Sequence, residues 1–169
     1  MPRIGRALGQ HAWPIAGGCG LAEDVGRLGE RIEAIQAAAA GLRGKVSGAV
    51  GAYNESSLLI DDPAAVEAEV LAEVGLKPAW HSTQIVAPEH LTDFMHALTS
   101  CFAVLAALAD DMRHLQRTEI SEVGEAFEAN QVGSSTMPHK RNPWNFENVK
   151  SLYKAFMPRM VSVYLDQLS

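Results

Sequence analysis

Apolar residues recur every three or four positions over most of the chain. Leu21, Val25, Leu28, Ile32 and Ile35 alternate steps of four and three, which places them on one stripe with a period near 3.5 and predicts a helix with a packing partner. Asp62 and Pro63 form an N-cap and first-turn pair for a short helix that ends at Gly75. A much longer helix is predicted from Pro88 onward. Its Leu91, Phe94, Met95, Leu98, Phe102, Leu105, Leu108, Met112 and Leu115 keep one apolar face for roughly eight turns, about 45 Å at about 1.5 Å per residue. Phe146, Val149, Tyr153, Phe156, Met160 and Tyr164 mark a last helix, which Pro158 bends and which runs to the chain end without a stop signal. No segment reads as a β-strand, and no repeat, low-complexity run or linker divides the chain. The pattern predicts an all-α fold, a long-helix bundle occupying residues 1–169 as a single helical domain. So long an apolar face on so small a chain implies a larger parent protein, subunits that complete one another, or both.

Composition narrows the partners. With 169 residues, 47% of them apolar and 20% charged, the chain is an ordinary globular one. A net charge of −6 with dispersed basic residues argues against nucleic acid. Cys19 and Cys101 stand apart, with neither metal-ligand spacing nor a disulfide framework, so no metal is expected and a reducing, cytoplasmic location is. The most apolar run, Leu98 to Leu108, is too short to cross a bilayer, and the N-terminus has no basic segment followed by an apolar one. No membrane partner is expected.

The chemistry concentrates in Gly133-Ser134-Ser135-Thr136-Met137-Pro138-His139-Lys140-Arg141-Asn142-Pro143. No packing requirement calls for paired hydroxyls, a lysine and an asparagine between a glycine and a proline. Gly133 and the serines give a loop able to close on a ligand, while Pro138 and Pro143 limit where Lys140 and Asn142 point. A cationic lysine beside an amide suits a carboxylate that gains charge during reaction, and a serine between them is placed to take a proton from the neighbouring carbon. That combination describes elimination next to a carboxylate.

These eleven residues resemble the Gly-Ser-Ser-x-Met-Pro-x-Lys-x-Asn-Pro loop of the fumarase/aspartase superfamily without a departure, and Met137 to Pro143 is most similar to its adenylosuccinate lyase branch. The resemblance implies a central domain of long helices that packs into a tetramer, with active sites shared between subunits, and it places the family's N- and C-terminal domains outside this sequence. It implies a cofactor-free lyase that splits a small-molecule succinyl nucleotide into fumarate and the amino product of purine biosynthesis. Ser134 maps onto the family base, with Ser135 as the fallback, and Met137, Lys140 and Asn142 map onto the substrate contacts.

Other segments match in part. Ala7 to Pro14 is similar to a Thr-His-x-Gln-x-Ala-x-Pro segment, with Gln10 as a substrate contact, but Ala7 and Leu8 replace the threonine and the histidine. An aliphatic side chain carries no proton, so His11 is the nearby candidate acid, against a reading as a surface or interface histidine. Carboxymuconate cycloisomerases of the superfamily also lack that histidine and are the alternative. Glu147 falls where the lyases keep a glutamate that orients the proton donor, although an acid in the first turn of a helix is favoured by the helix dipole in any case. Arg113 and Arg117 share a helix face, which reads as a charged outer face or, by resemblance over Leu115 to Val123, as a segment that closes on the site with Arg117 as a ligand. Gln84, in Ser82-Thr83-Gln84, resembles a substrate-contacting glutamine. Lys45 to Gly51, including Ser47, resembles a loop whose small residues allow close approach of a ligand or of a helix. A non-catalytic helical bundle that keeps the serine loop by descent is the reading from another class.

Overall fold

The computed structural model describes residues 2–128, 131 and 133–168. The chain opens with an antiparallel pair, β1 (Pro2–Ala7) and β2 (Gln10–Ala16), followed by α1 (Gly18–Gly41) and the two-residue strand β3 (Arg43–Gly44). Next come α2 (Pro63–Glu73) and β4 (Lys77–Pro78), which pairs with β3 in parallel, and then α3 (Glu89–Leu115), α4 (Trp144–Phe156) and α5 (Arg159–Leu165). Helices dominate, as the apolar spacing predicts.

The helix boundaries follow from local chemistry. Asp62 caps α2 by accepting a hydrogen bond from the Ala65 amide at 3.0 Å, Pro63 opens the first turn, and Gly75 follows the helix end at φ +73°. Pro88 precedes α3 and its carbonyl accepts from the amides of Leu91 and Thr92. The last helical stretch is interrupted at 157–158, where Pro158 has no N–H to continue the ladder.

Two expectations need correction. The N-terminal segment is a hairpin, not a strand-free stretch. Leu8 (φ +51°) and Gly9 (φ +81°) form the two-residue turn between Ala7 and Gln10, a backbone of the hand that matches strand twist. The pattern concealed this pair because β2 is almost wholly exposed, so no apolar face alternates along it. The second correction concerns α3. The run Leu98 to Leu108 is short, but the 27-residue helix that carries it is by length and composition long and apolar enough to cross a membrane. In this structure its Val104, Ala106 and Ala109 are buried within the protein.

The described chain groups into two compact units, residues 1–32 with 100–157 and residues 33–99 with 158–169. In the first, Phe102 of α3 meets Tyr153 of α4 edge to face, with ring centroids 5.7 Å apart. Asp110 of α3 accepts from Lys150 of α4 at 2.6 Å. In the second, Leu71, Ala97 and Met160 are buried, and His96 pairs with the Tyr164 hydroxyl at 3.0 Å. Among the described residues half of the buried apolar side chains are alanines, and no large one is completely enclosed. Leu91, Leu98 and Leu105 of the long apolar face stay exposed.

Candidate active site

The serine loop lies in the first unit and is shut at its base by its own residues. The Asn142 side-chain amide donates to the Gly133 carbonyl at 3.0 Å, closing a nine-residue span. Gly133 is buried so tightly that a Cβ there would stand 2.2 Å from the Lys140 carbonyl oxygen, so only glycine lets the two strands of the loop approach. Inside the loop the Met137 amide donates to Ser134 Oγ at 3.2 Å, and the Lys140 amide donates to the Met137 carbonyl at 2.9 Å. Ser134 is half-buried, whereas Ser135, Met137 and Lys140 are exposed.

Two side chains outside the loop fix its flanks. Gln116, just past α3, donates to the Arg141 carbonyl and accepts from the Glu125 amide, tying the segment after α3 to the end of the serine loop. Glu125 accepts from the amides of Asn145 and Phe146 and from the Asn145 side chain. It thereby caps α4, whose own N-cap residue, Pro143, offers no side-chain acceptor. The Arg141 guanidinium lies over the Phe127 ring at 4.5 Å.

Together these segments border a cleft of about 1120 Å³, lined among others by Arg113, Arg117, Met137, Lys140, Asn142 and Glu147. Five of the residues singled out from the sequence therefore meet on one surface: Arg117, Met137, Lys140, Asn142 and Glu147. Neither Ser134 nor Ser135 lines it in this conformation. Glu147 reaches Arg113 Nε at 3.3 Å, and Arg113 in turn donates to Asp110 through Nε and its terminal nitrogen at 3.1 and 2.8 Å. The hydrogen bond from Lys150, with help from Arg113, holds the Asp110 carboxyl down at about 2. Burial and the nearby Asp24 and Asp110 push the Asp111 carboxyl the other way, upward.

The hairpin places Gln10 and His11 on exposed β2, opposite Ala7 and Arg6 respectively, and neither residue lines the cleft. Arg6 forms an ion pair with Glu122 that anchors the hairpin to the segment after α3. A smaller cavity of about 500 Å³ is lined by Leu8, Arg6, Asp111, His114 and Arg117 among others, so Arg117 borders both. His114 is a residue that sequence reasoning passed over. Its one signal was its position a helical turn after Asp110, to which its Nε2 stands at 3.8 Å.

Ser47 and Gln84 belong to the second unit. Ser47 is buried and its Oγ lies 3.0 Å from that of Ser82, while Lys45 Nζ donates to the carbonyl of Gln84 at 3.1 Å. Among the described residues no group of histidine, cysteine, aspartate and glutamate side chains is arranged to hold a metal ion.

The family model described as Lyase matches residues 1–156, nearly the whole chain. The chain belongs to the fumarase/aspartase superfamily of lyases. Adenylosuccinate lyases are among its relatives: that of Thermotoga maritima is 37% identical over 98% of this chain and 36% of its own length. The Archaeoglobus fulgidus enzyme is 40% identical over 88% of this chain and 33% of its own. The fold is likewise similar to a crystal structure of class II fumarase from Schistosoma mansoni, at a TM-score of 0.71 and 20% identity, over 95% of this chain and 37% of that one. The chain thus spans about a third of the length of these superfamily relatives.

Proposed function

We propose that this chain is the central helical part of an adenylosuccinate lyase, which splits adenylosuccinate and the related succinyl ribonucleotide into fumarate and the amino product by β-elimination. The observation that carries the reading is the hydrogen bond from the Met137 amide to Ser134 Oγ on a loop whose Lys140 and Asn142 face the cleft. Serine is a weak base unless its alkoxide is stabilised; the N–H aimed at Oγ begins that stabilisation, and the Lys140 ammonium adds to it on loop closure. The names of the relatives support the same substrate.

In this mechanism the loop closes, and Ser134 Oγ removes the proton from the carbon beside a carboxylate. The electron pair moves into that carboxylate to give an aci form, which Lys140 and Asn142 hold more tightly than the ground state. Collapse of the aci form creates the double bond of fumarate and expels the nitrogen, which takes a proton from a histidine. His11 is the acid the sequence indicates, and His114, beside the cavity that Leu8 lines, is a second. No cofactor takes part. The exposed Leu91, Leu98 and Leu105 of α3 supply a surface for self-association into a tetramer, and the enzyme acts in the cytoplasm.

Leu8, where the lyases have a histidine, favours a second reading as a carboxymuconate cycloisomerase. Assaying the enzyme that contains this chain with both substrates, before and after Glu147→Gln, separates the two. The expected result is cleavage of adenylosuccinate that is lost on substitution; turnover of carboxymuconate alone overturns the lyase reading.

A further inference from the structure

Glu67 lies on α2, five positions after its N-cap, where the helical pattern would lead one to expect a solvated acid. It is instead only 5% exposed. A carboxylate withdrawn from water needs its hydrogen bonds replaced, and among the described residues no cation does so: Glu67 accepts from the Val46 backbone amide and from the Tyr53 hydroxyl. Those two donors bracket the segment Lys45 to Tyr53. The phenol titrates above its ordinary range because its proton is held by Glu67.

Between the two fixed points the segment is turned tightly. Gly48, Gly51 and Tyr53 all have positive φ, and the Tyr53 amide donates to the Ser47 carbonyl. A second segment, Ser82 to Gln84, is fastened to this turn by the Ser47–Ser82 hydroxyl pair and by Lys45, whose ammonium donates to the carbonyls of Gly48 and Gln84. A Cβ on Gly51 would stand 2.0 Å from the Ser82 carbonyl oxygen, so the two segments touch backbone to backbone. A side chain needed only to fill space between α2 and this turn would be apolar; a buried carboxylate with two converging donors fixes direction as well as distance.

We propose that Glu67 and Tyr53 are a positioning pair, a buried strut that holds the turn Lys45–Tyr53, and through it Ser47 and Gln84, in the arrangement that receives the substrate. The proposal rests on the lyase reading for the identity of that substrate and for the part Ser47 and Gln84 take in receiving it. The strut touches no ligand itself and acts through the backbone of the turn. Tyr53→Phe removes one of its two bonds and keeps the ring, Glu67→Gln keeps the shape and one acceptor, and Glu67→Ala removes both.

Amide hydrogen exchange on the chain and steady-state kinetics on the enzyme that contains it form the test. In Glu67→Ala and Tyr53→Phe, exchange is expected to rise about tenfold or more over residues 45–53 and 81–85, the scale of one lost hydrogen bond, while α2 and α3 keep their protection. KM for adenylosuccinate is expected to rise by a similar factor with kcat changed less, and Glu67→Gln to restore both toward the unsubstituted values. Unchanged exchange over 45–53 overturns the strut, and so does a uniform loss of protection across the unit in both Tyr53→Phe and Glu67→Ala. Absence of adenylosuccinate turnover in the unsubstituted enzyme sinks the substrate reading instead and leaves the exchange result to decide the strut.

Discussion

Two turns of this chain are each drawn shut against a backbone carbonyl, Gly133 against that of Lys140 and Gly51 against that of Ser82, yet they are fastened by different kinds of group. The serine loop is closed by Asn142, a half-buried amide that is also a candidate ligand for substrate. The turn at Gly51 is closed by the Ser47–Ser82 pair and braced by the carboxylate of Glu67, all withdrawn from solvent or facing one another. A fastening that substrate can compete for permits motion. One that substrate cannot reach does not. On the proposed reading the same backbone device serves a moving base in one turn and a fixed receiving surface in the other.

The sharpest way to break the comparison is to remove the moving part's chemistry without touching its shape. Ser134→Ala is expected to lower turnover by about 10²–10⁴-fold in the enzyme that contains this chain, with the midpoint of thermal unfolding nearly unchanged, because the loop contributes little buried surface. Full activity in Ser134→Ala with loss in Ser135→Ala would transfer the role to the neighbour. Next in size, Gly51→Ala combines a φ of +73° with a clash against Ser82 and is expected to cost about 1–3 kcal/mol or more in urea denaturation. Gly133→Ala meets the clash with the Lys140 carbonyl, and its cost is expected to fall with added fumarate as the ligand shifts the loop. Equal, ligand-independent losses at the two glycines would erase the distinction between a movable and a fixed turn.

The helices were legible from spacing and punctuation. Asp62-Pro63, Pro88 and Pro158 each mark a boundary that the structure places within a residue or two, because capping and the missing proline N–H act locally. The eleven-residue loop was legible because its polar content has no packing rationale, and five site candidates do share one cleft. The hairpin was not, since Leu8 and Gly9 carry a weak turn signal and β2 lacks an apolar face. Nor were Glu67 and Glu125. An acid on a helix or in a loop reads as solvated until the partners that surround it are known, and those partners come from segments about twenty residues away along the chain.

A smaller effect sharpens the description of the loop's far flank. Glu125→Ala removes the acceptor from the start of α4 and is expected to cost about 0.5–2 kcal/mol, with fraying seen as faster amide exchange at Asn145 and Phe146. Smaller still is a pH effect at Asp110. Its carboxyl is held below the ordinary value of 3.8, at about 2, so its contribution is present above pH 3.8 and is lost as pH falls through about 2. About a third of that side chain is exposed, so solvent screening keeps the contribution small, and Asp110→Asn is expected to flatten the acid limb of stability only slightly in a pH series of urea midpoints.

The ion pair between Arg6 and Glu122 joins residues 116 positions apart. During synthesis the hairpin leaves the ribosome before its anchor does, by roughly 6–23 s at about 5–20 residues per second. An isolated two-stranded ribbon is marginal in water, so throughout that interval the segment carrying Gln10 and His11 has no stable shape of its own. The hairpin is thus made well before the residue that fixes it, and a pause in translation between α1 and α3 lengthens the time it spends open to proteases and to stray pairing with other nascent strands.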